Sequence, residues 1–145
     1  MEITHDTARK LLRASSAREA GVAAPPLTRL VKALASVVAE PEIAEDIPGV
    51  SWIGADDEFN ALLLPVDRFV HARIQGDRAS AISYRARVAA LEAADIDDLP
   101  AYEDLDWRVM TWHVTLTDGA VISLIARDSA HAHALADFVH AHLMP

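Results

Sequence analysis

The spacing of apolar positions changes along the chain. Leu27, Leu30, Val31, Leu34 and Val38 recur every three or four residues, which predicts a helix from about residue 27 to 39 with one buried face. Pro41 stops it. Upstream, Thr4 or Asp6 can cap a first helix reaching about residue 20, with a narrow stripe of Ala8, Leu11, Leu12 and Ser15. Gly21 is placed to end that helix, and Pro25 and Pro26 separate the pair. After Ile47-Pro48-Gly49 the period drops toward two. Short strands are predicted over residues 50–55, 61–65 and 67–74, followed by a turn at 75–78. Over residues 82–88, Ile82, Tyr84, Ala86 and Val88 alternate with Ser83, Arg85 and Arg87, giving a strand with one buried and one wet face. The stretch VAALEAA at 88–94 suits either a strand or a helix.

Residues 112–124, WHVTLTDGAVISL, carry the strongest hairpin signal. A two-residue Asp118-Gly119 turn places Leu116 opposite Val121, Trp112 opposite Ile125 and His113 opposite Leu124. One face then holds Met110, Trp112, Val114, Leu116, Val121 and Ile125, and is the expected core. The other holds Trp107, Val109, Thr111, His113, Thr115, Ile122 and Leu124. A last helix begins at Asp128 or Ser129 and runs to about residue 143. It buries Leu135, Phe138, Val139 and Leu143 and turns His133, Asp137 and His140 to the opposite face.

The whole reads as an α+β chain. A helical arm (residues 1–41) precedes an antiparallel strand region closed by a helix (residues 48–145), together forming one compact unit. A length of 145 residues with 52% hydrophobic positions supports a proper core. The absence of cysteine excludes disulfides and cysteine-based zinc or redox chemistry. Apolar runs are too short to span a bilayer, and the N-terminus lacks a signal peptide's apolar stretch, so a cytoplasmic, non-inserted protein is expected. Abundant alanine and a preference for arginine over lysine point to a bacterial source.

Charge is unevenly spread. Residues 1–32 hold six basic and three acidic side chains, a net +3, whereas the remaining seven basic and nineteen acidic side chains give −12. Such an arm is expected to complement its own acidic body or a second copy rather than nucleic acid. Its apolar stripe and charge predict a homodimer with the arm at the interface, the rival being an arm folded back on its own chain.

Three groups of residues are candidates for chemistry. The loop DIDDLPAYEDLD carries Asp97, Asp98, Glu103 and Asp104. It lacks the glycine and ligand spacing of an EF-hand, so it is read as a surface for a basic protein partner. His133, Asp137 and His140 could contribute to a metal site, but His133 and His140 lie two turns apart and a solvated helix face is the favoured reading. His71 and His113 are the candidates if a pocket between sheet and helix binds a small ligand or works as an enzyme. Arg68, Arg73, Arg85 and Arg87 are candidates to share a sheet face, where ion pairs with the surrounding acids are expected rather than a phosphate site. No phosphate-cradling glycine loop, zinc-protease motif or nucleophile elbow occurs, and no cofactor is implied.

The succession DRFVHARI, AISYRARVAALEA, WHVTLTDGAVISL and SAHAHALADFVHAHL resembles the order of elements in bacterial pleckstrin-homology-like (PH-like) domains. The resemblance spans about residues 50–145. It implies a strongly bent antiparallel sheet plugged at one end by the last helix. Lipid-binding members use basic residues in the first strand–strand loop. Here that loop is Ala55-Asp56-Asp57-Glu58-Phe59-Asn60, whose acidity argues against phosphoinositide binding. The expected function is a non-enzymatic protein-interaction module, with the pocket-containing ligand binder or enzyme as the alternative.

Overall fold

A computed structural model describes residues 4–17, 21–38, 47–54, 58–65, 68–84, 88–94 and 110–141. It contains helices α1 (His5–Ser15) and α2 (Ala24–Val37), and strands β1 (Gly49–Ile53), β2 (Phe59–Leu63), β3 (Phe69–Gln75) and β4 (Arg78–Tyr84). Then follow β5 (Val88–Ala94), β6 (Met110–Leu116), β7 (Val121–Ala126) and helix α3 (Ser129–Ala141). The strands form a four-stranded sheet in the order β1-β2-β3-β4 and a three-stranded sheet in the order β5-β6-β7. The expected α+β class with an N-terminal helical pair and a closing helix is therefore present. The chain divides into two compact units. The first comprises residues 1–51 and 58–85, the second residues 52–57 and 86–145. The division falls within β1, whose last two residues, Trp52 and Ile53, belong to the second unit.

In the first unit the arm lies against its own sheet. Thr4, not Asp6, caps α1: its Oγ1 accepts from Thr7 N at 3.1 Å. The helix ends earlier than glycine placement predicts, because Ser16 adopts the left-handed conformation (φ 56°) and closes it. Gly21, also at positive φ, serves the connection instead. Pro25 and Pro26 do not precede α2 but occupy its first turn, where a missing N–H costs nothing. Leu30, Val31, Leu34 and Val38 are buried, together with Leu11 and Leu12 of α1, against Phe59, Ala61, Leu63, Val70, Ala72 and Ile74 of β2 and β3. The arm's apolar stripe is thus used within the chain. Gly49 sits where a Cβ would collide with the Ala14 carbonyl, so α1 can approach β1 only over a glycine.

β3 and β4 are joined by Gly76-Asp77, with Gly76 at φ 62°. The alternation in β4 runs opposite to expectation. Ala79 and Ala81 pack on the core, whereas Ile82 is 52% exposed. β3 sets this register: Ala72 faces Ala81, so the small residues fit beneath α2 and Ile82 takes the other face. Residues 88–94 form a strand, since pairing with β6 provides the ladder that alanine's helix preference alone would not resist.

In the second unit, α3 packs on all three strands of its sheet. Asp128 Oδ1 accepts from His131 N at 3.0 Å and starts the helix. Ala132, Leu135, Ala136 and Val139 are buried, as are Val114 and Leu116 of β6 and Leu124 and Ala126 of β7. Trp52, 1% exposed, donates from Nε1 to Ile125 O at 3.0 Å. Arg127 N donates to Ile53 O at 2.9 Å.

Candidate functional site

The turn between β6 and β7 decides which residues share a surface. Gly119 N donates to Leu116 O at 2.9 Å and Leu116 N to Ala120 O at 2.8 Å, which closes a loop of three residues, Thr117-Asp118-Gly119. Gly119 takes the left-handed position (φ 91°), and Asp118 Oδ1 accepts from Ala120 N at 3.0 Å. The two-residue turn expected from Asp118-Gly119 is therefore corrected by one residue. Val121 pairs with Thr115 and Leu124 with Trp112. A one-residue slip exchanges every side chain of a strand between its faces. Leu124 and Ile122, not Val121 and Ile125, join the buried face.

His113 consequently faces Ser123 rather than Leu124, and its Nδ1 lies 3.0 Å from Ser123 Oγ. On its other side, β5 places Glu92 directly across. Glu92, His113 and Ser123 form a polar row across the three-stranded sheet. Val121 is 62% and Ile125 43% exposed on the same face, beside half-buried Thr111 and Thr115. The row resembles a nucleophile–base–acid series in composition, yet not in geometry. Glu92 makes no hydrogen bond to His113. Backbone N–H groups in a ladder also point along the sheet plane, so none is aimed at an oxyanion above its face. The arrangement suits recognition: a shallow β-branched surface with polar groups through its middle.

A second polar group lies in the first unit, on the sheet face opposite the helices. His71 Nε2 is 3.0 Å from Asn60 Oδ1, and Asn60 Nδ2 donates to Glu58 O at 3.1 Å. That second bond orients the amide, so His71 Nε2 must be the donor. Arg73 Nη2 reaches both Glu58 carboxylate oxygens, at 2.9 and 3.0 Å. Asn60 is 4% exposed, and Leu62 and Phe69 on the same face are fully buried. Burial, helped by the positive charge of Arg73 and opposed by Glu58, pushes the His71 pKa down to about 4. The imidazole is uncharged at neutral pH and acts as a fixed donor.

The other sequence candidates are separated. Asp97, Asp98, Glu103 and Asp104 lie outside the described residues, as do Arg85 and Arg87. His133, Asp137 and His140 are exposed on α3, and among the described residues no three His, Asp or Glu side chains converge as metal ligands. His131 turns inward, with Nδ1 accepting from Ile53 N at 3.3 Å. Arg73 finds the expected carboxylate in Glu58, and Arg68 Nη1 donates to Val37 O at 3.2 Å.

No protein-family model, curated protein or solved structure matches this chain. The geometry therefore carries the functional reading alone. Sequence reasoning passed over Ser123 and Glu92. Only a three-residue loop brings Ser123 beside His113, and only the β5–β6 pairing, with its irregularity between Val88 and Ala90, brings Glu92 there. An Asp-Gly pair one residue after a threonine also fits the three-residue loop, which was the one available signal.

Proposed function

We propose that the chain is a non-enzymatic protein-interaction module of PH-like type that docks a protein partner on the open face of the β5–β6–β7 sheet. The observation that carries this reading is the exposure of Val121 and Ile125 on one sheet face, contiguous with the Glu92–His113–Ser123 row. Branched apolar side chains left open on either side of Ser123 on one sheet face favour a partner that covers them. Among the described residues Glu92 forms no ion pair, and the chain is net −9, so the partner is a basic protein whose Lys or Arg meets Glu92. A four-strand group, a three-strand group and a closing helix, in that order, support the PH-like part of the reading.

The test places a photo-crosslinking amino acid at Thr111, on the rim of this face, in the source organism. Crosslinks to a basic protein that disappear in Ile125→Arg and weaken in Glu92→Ala support the reading. Crosslinks only between copies of this chain make the face a homodimer interface. Absence of any crosslink dependent on Ile125 overturns it.

A further inference from the structure

A concave apolar cleft and a cationic groove meet at one residue in the first unit. The cleft, about 430 Å³, lies between α1 and α2. Leu12 and Val31 are its buried apolar residues, Ala8 and Leu27 lie half-buried along it, and Thr28 and His5 stand exposed at its edge. That size falls within the roughly 300–1,000 Å³ of small-molecule sites. Lys32 lines it as well. Lys32 also lines the adjoining open groove with Arg29 and Arg78.

The electrostatics of that junction are unbalanced. Arg29 is held by a 2.7 Å bond from Nη1 to the Asp77 carbonyl, which fixes the guanidinium over the β3–β4 turn. Lys32 and Arg78 are exposed, and among the described residues neither forms an ion pair. Among the described residues, Asp77 brings the one carboxylate to a groove with three cations. The neighbouring cations of α1 are arranged differently. Arg9 and Lys10 both pair with Asp6, at 2.8 and 3.1 Å, and hold its carboxyl below the usual range. Among the described residues, Arg29, Lys32 and Arg78 thus stand without an ion pair beside an apolar cleft, in a chain of net −9.

We infer that this part of the molecule binds a free single-chain anionic amphiphile. Its alkyl tail lies in the α1–α2 cleft, and its carboxylate or phosphate head sits between Lys32, Arg29 and Arg78. Charge complementarity selects the head, and the apolar lining selects the tail. The concave shape and small volume suit one chain rather than a membrane surface, which binds best to apolar side chains that protrude.

Calorimetric titration of the full chain decides the matter, with ligands kept below their micelle concentrations. Decanoate and decyl phosphate are expected to bind with a defined stoichiometry of one. Decanol and inorganic phosphate, each lacking one half of the ligand, are expected to bind at least roughly tenfold more weakly, since neither head nor tail contact alone suffices. Lys32→Ala and Arg78→Ala, both at exposed positions, are expected to weaken decanoate by roughly tenfold each. Thr28→Phe, also exposed, is expected to block the cleft while leaving phosphate affinity as it was. Undetectable decanoate and decyl phosphate binding overturns the inference. So does binding that is indifferent to Lys32→Ala and Thr28→Phe, or binding only to phosphatidylglycerol vesicles and not to free amphiphile.

Discussion

β3 and β6 each carry a histidine at the centre of an antiparallel sheet, and their surroundings are opposite. His71 shares its face with fully buried Leu62 and Phe69, donates to a buried asparagine, and is held uncharged with a pKa near 4. His113 lies beside exposed Val121, Ser123 and Ile125, with a carboxylate across the next strand. Both are histidines on an inner strand of their sheet. Burial of the face makes one a structural polar group and leaves the other available to a partner. A histidine on a strand is therefore uninformative until the fate of its face is known.

The largest effect is expected on the helix-covered side of the first sheet, the side opposite His71. Leu34 is fully buried between α2 and the strands, and Leu34→Ala is expected to cost about 2–5 kcal/mol of stability through lost burial and a residual cavity. Urea denaturation measures it, and an unchanged midpoint would mean that the arm contributes little to this unit.

The next effect is pH-dependent. In the unfolded chain the His71 imidazole takes up a proton near pH 6.5, whereas in the folded chain it does so only near 4. The unfolded state therefore binds more protons between these values, and stability falls as pH drops through that window. Above about pH 6.5 the contribution is intact, and at pH 5 the loss attributable to this group is roughly 2 kcal/mol. His71→Gln retains an amide donor for Asn60 and removes the titration. The variant's stability, relative to wild type, should rise by about that amount between pH 7.5 and pH 5. Parallel pH profiles for the two proteins would contradict the buried, uncharged state.

In the second unit, Asp128→Ala removes the carboxylate that accepts from His131 N at the start of α3 and is expected to cost about 1 kcal/mol. Asp128→Asn should recover most of it, because the amide oxygen can accept the same bond. Thermal unfolding of the pair separates loss of the cap from loss of charge.

The smallest effect sharpens the contrast most. Ile125→Thr on the open sheet face is expected to change stability by less than about 0.5 kcal/mol, although it removes a large apolar side chain. A cost comparable with Leu34→Ala would show that Ile125 is covered within the chain, and the docking face would be lost with it.

Several elements were legible in the sequence because their information is local. The spacing of Leu30, Val31, Leu34 and Val38 defined the buried side of α2. Leu135 and Val139 did the same for α3. Glycine and proline punctuation located most strand boundaries to within a few residues. A local pattern could not say how many residues a turn contains, nor which end signal a helix obeys. Ser16 ended α1 five residues before Gly21, and the third loop residue at Thr117 moved β7 by one position. In a strand that single position exchanges the faces, so Ser123 and Ile125 came to the open surface and Leu124 to the core.

The candidate sites depended still more on tertiary structure. By itself the sequence determined an acidic, cysteine-free α+β chain with a basic helical arm and histidines on two strands and the last helix. Tertiary structure alone decided that the arm lies on its own sheet, and that Lys32 joins an apolar cleft to a cationic groove. It also decided that one strand histidine shares a buried face and the other an exposed one. The physical reason is that periodicity records which side of an element is apolar, whereas a site depends on which sides of different elements meet. That meeting is set by register, turn length and packing between residues far apart in the chain.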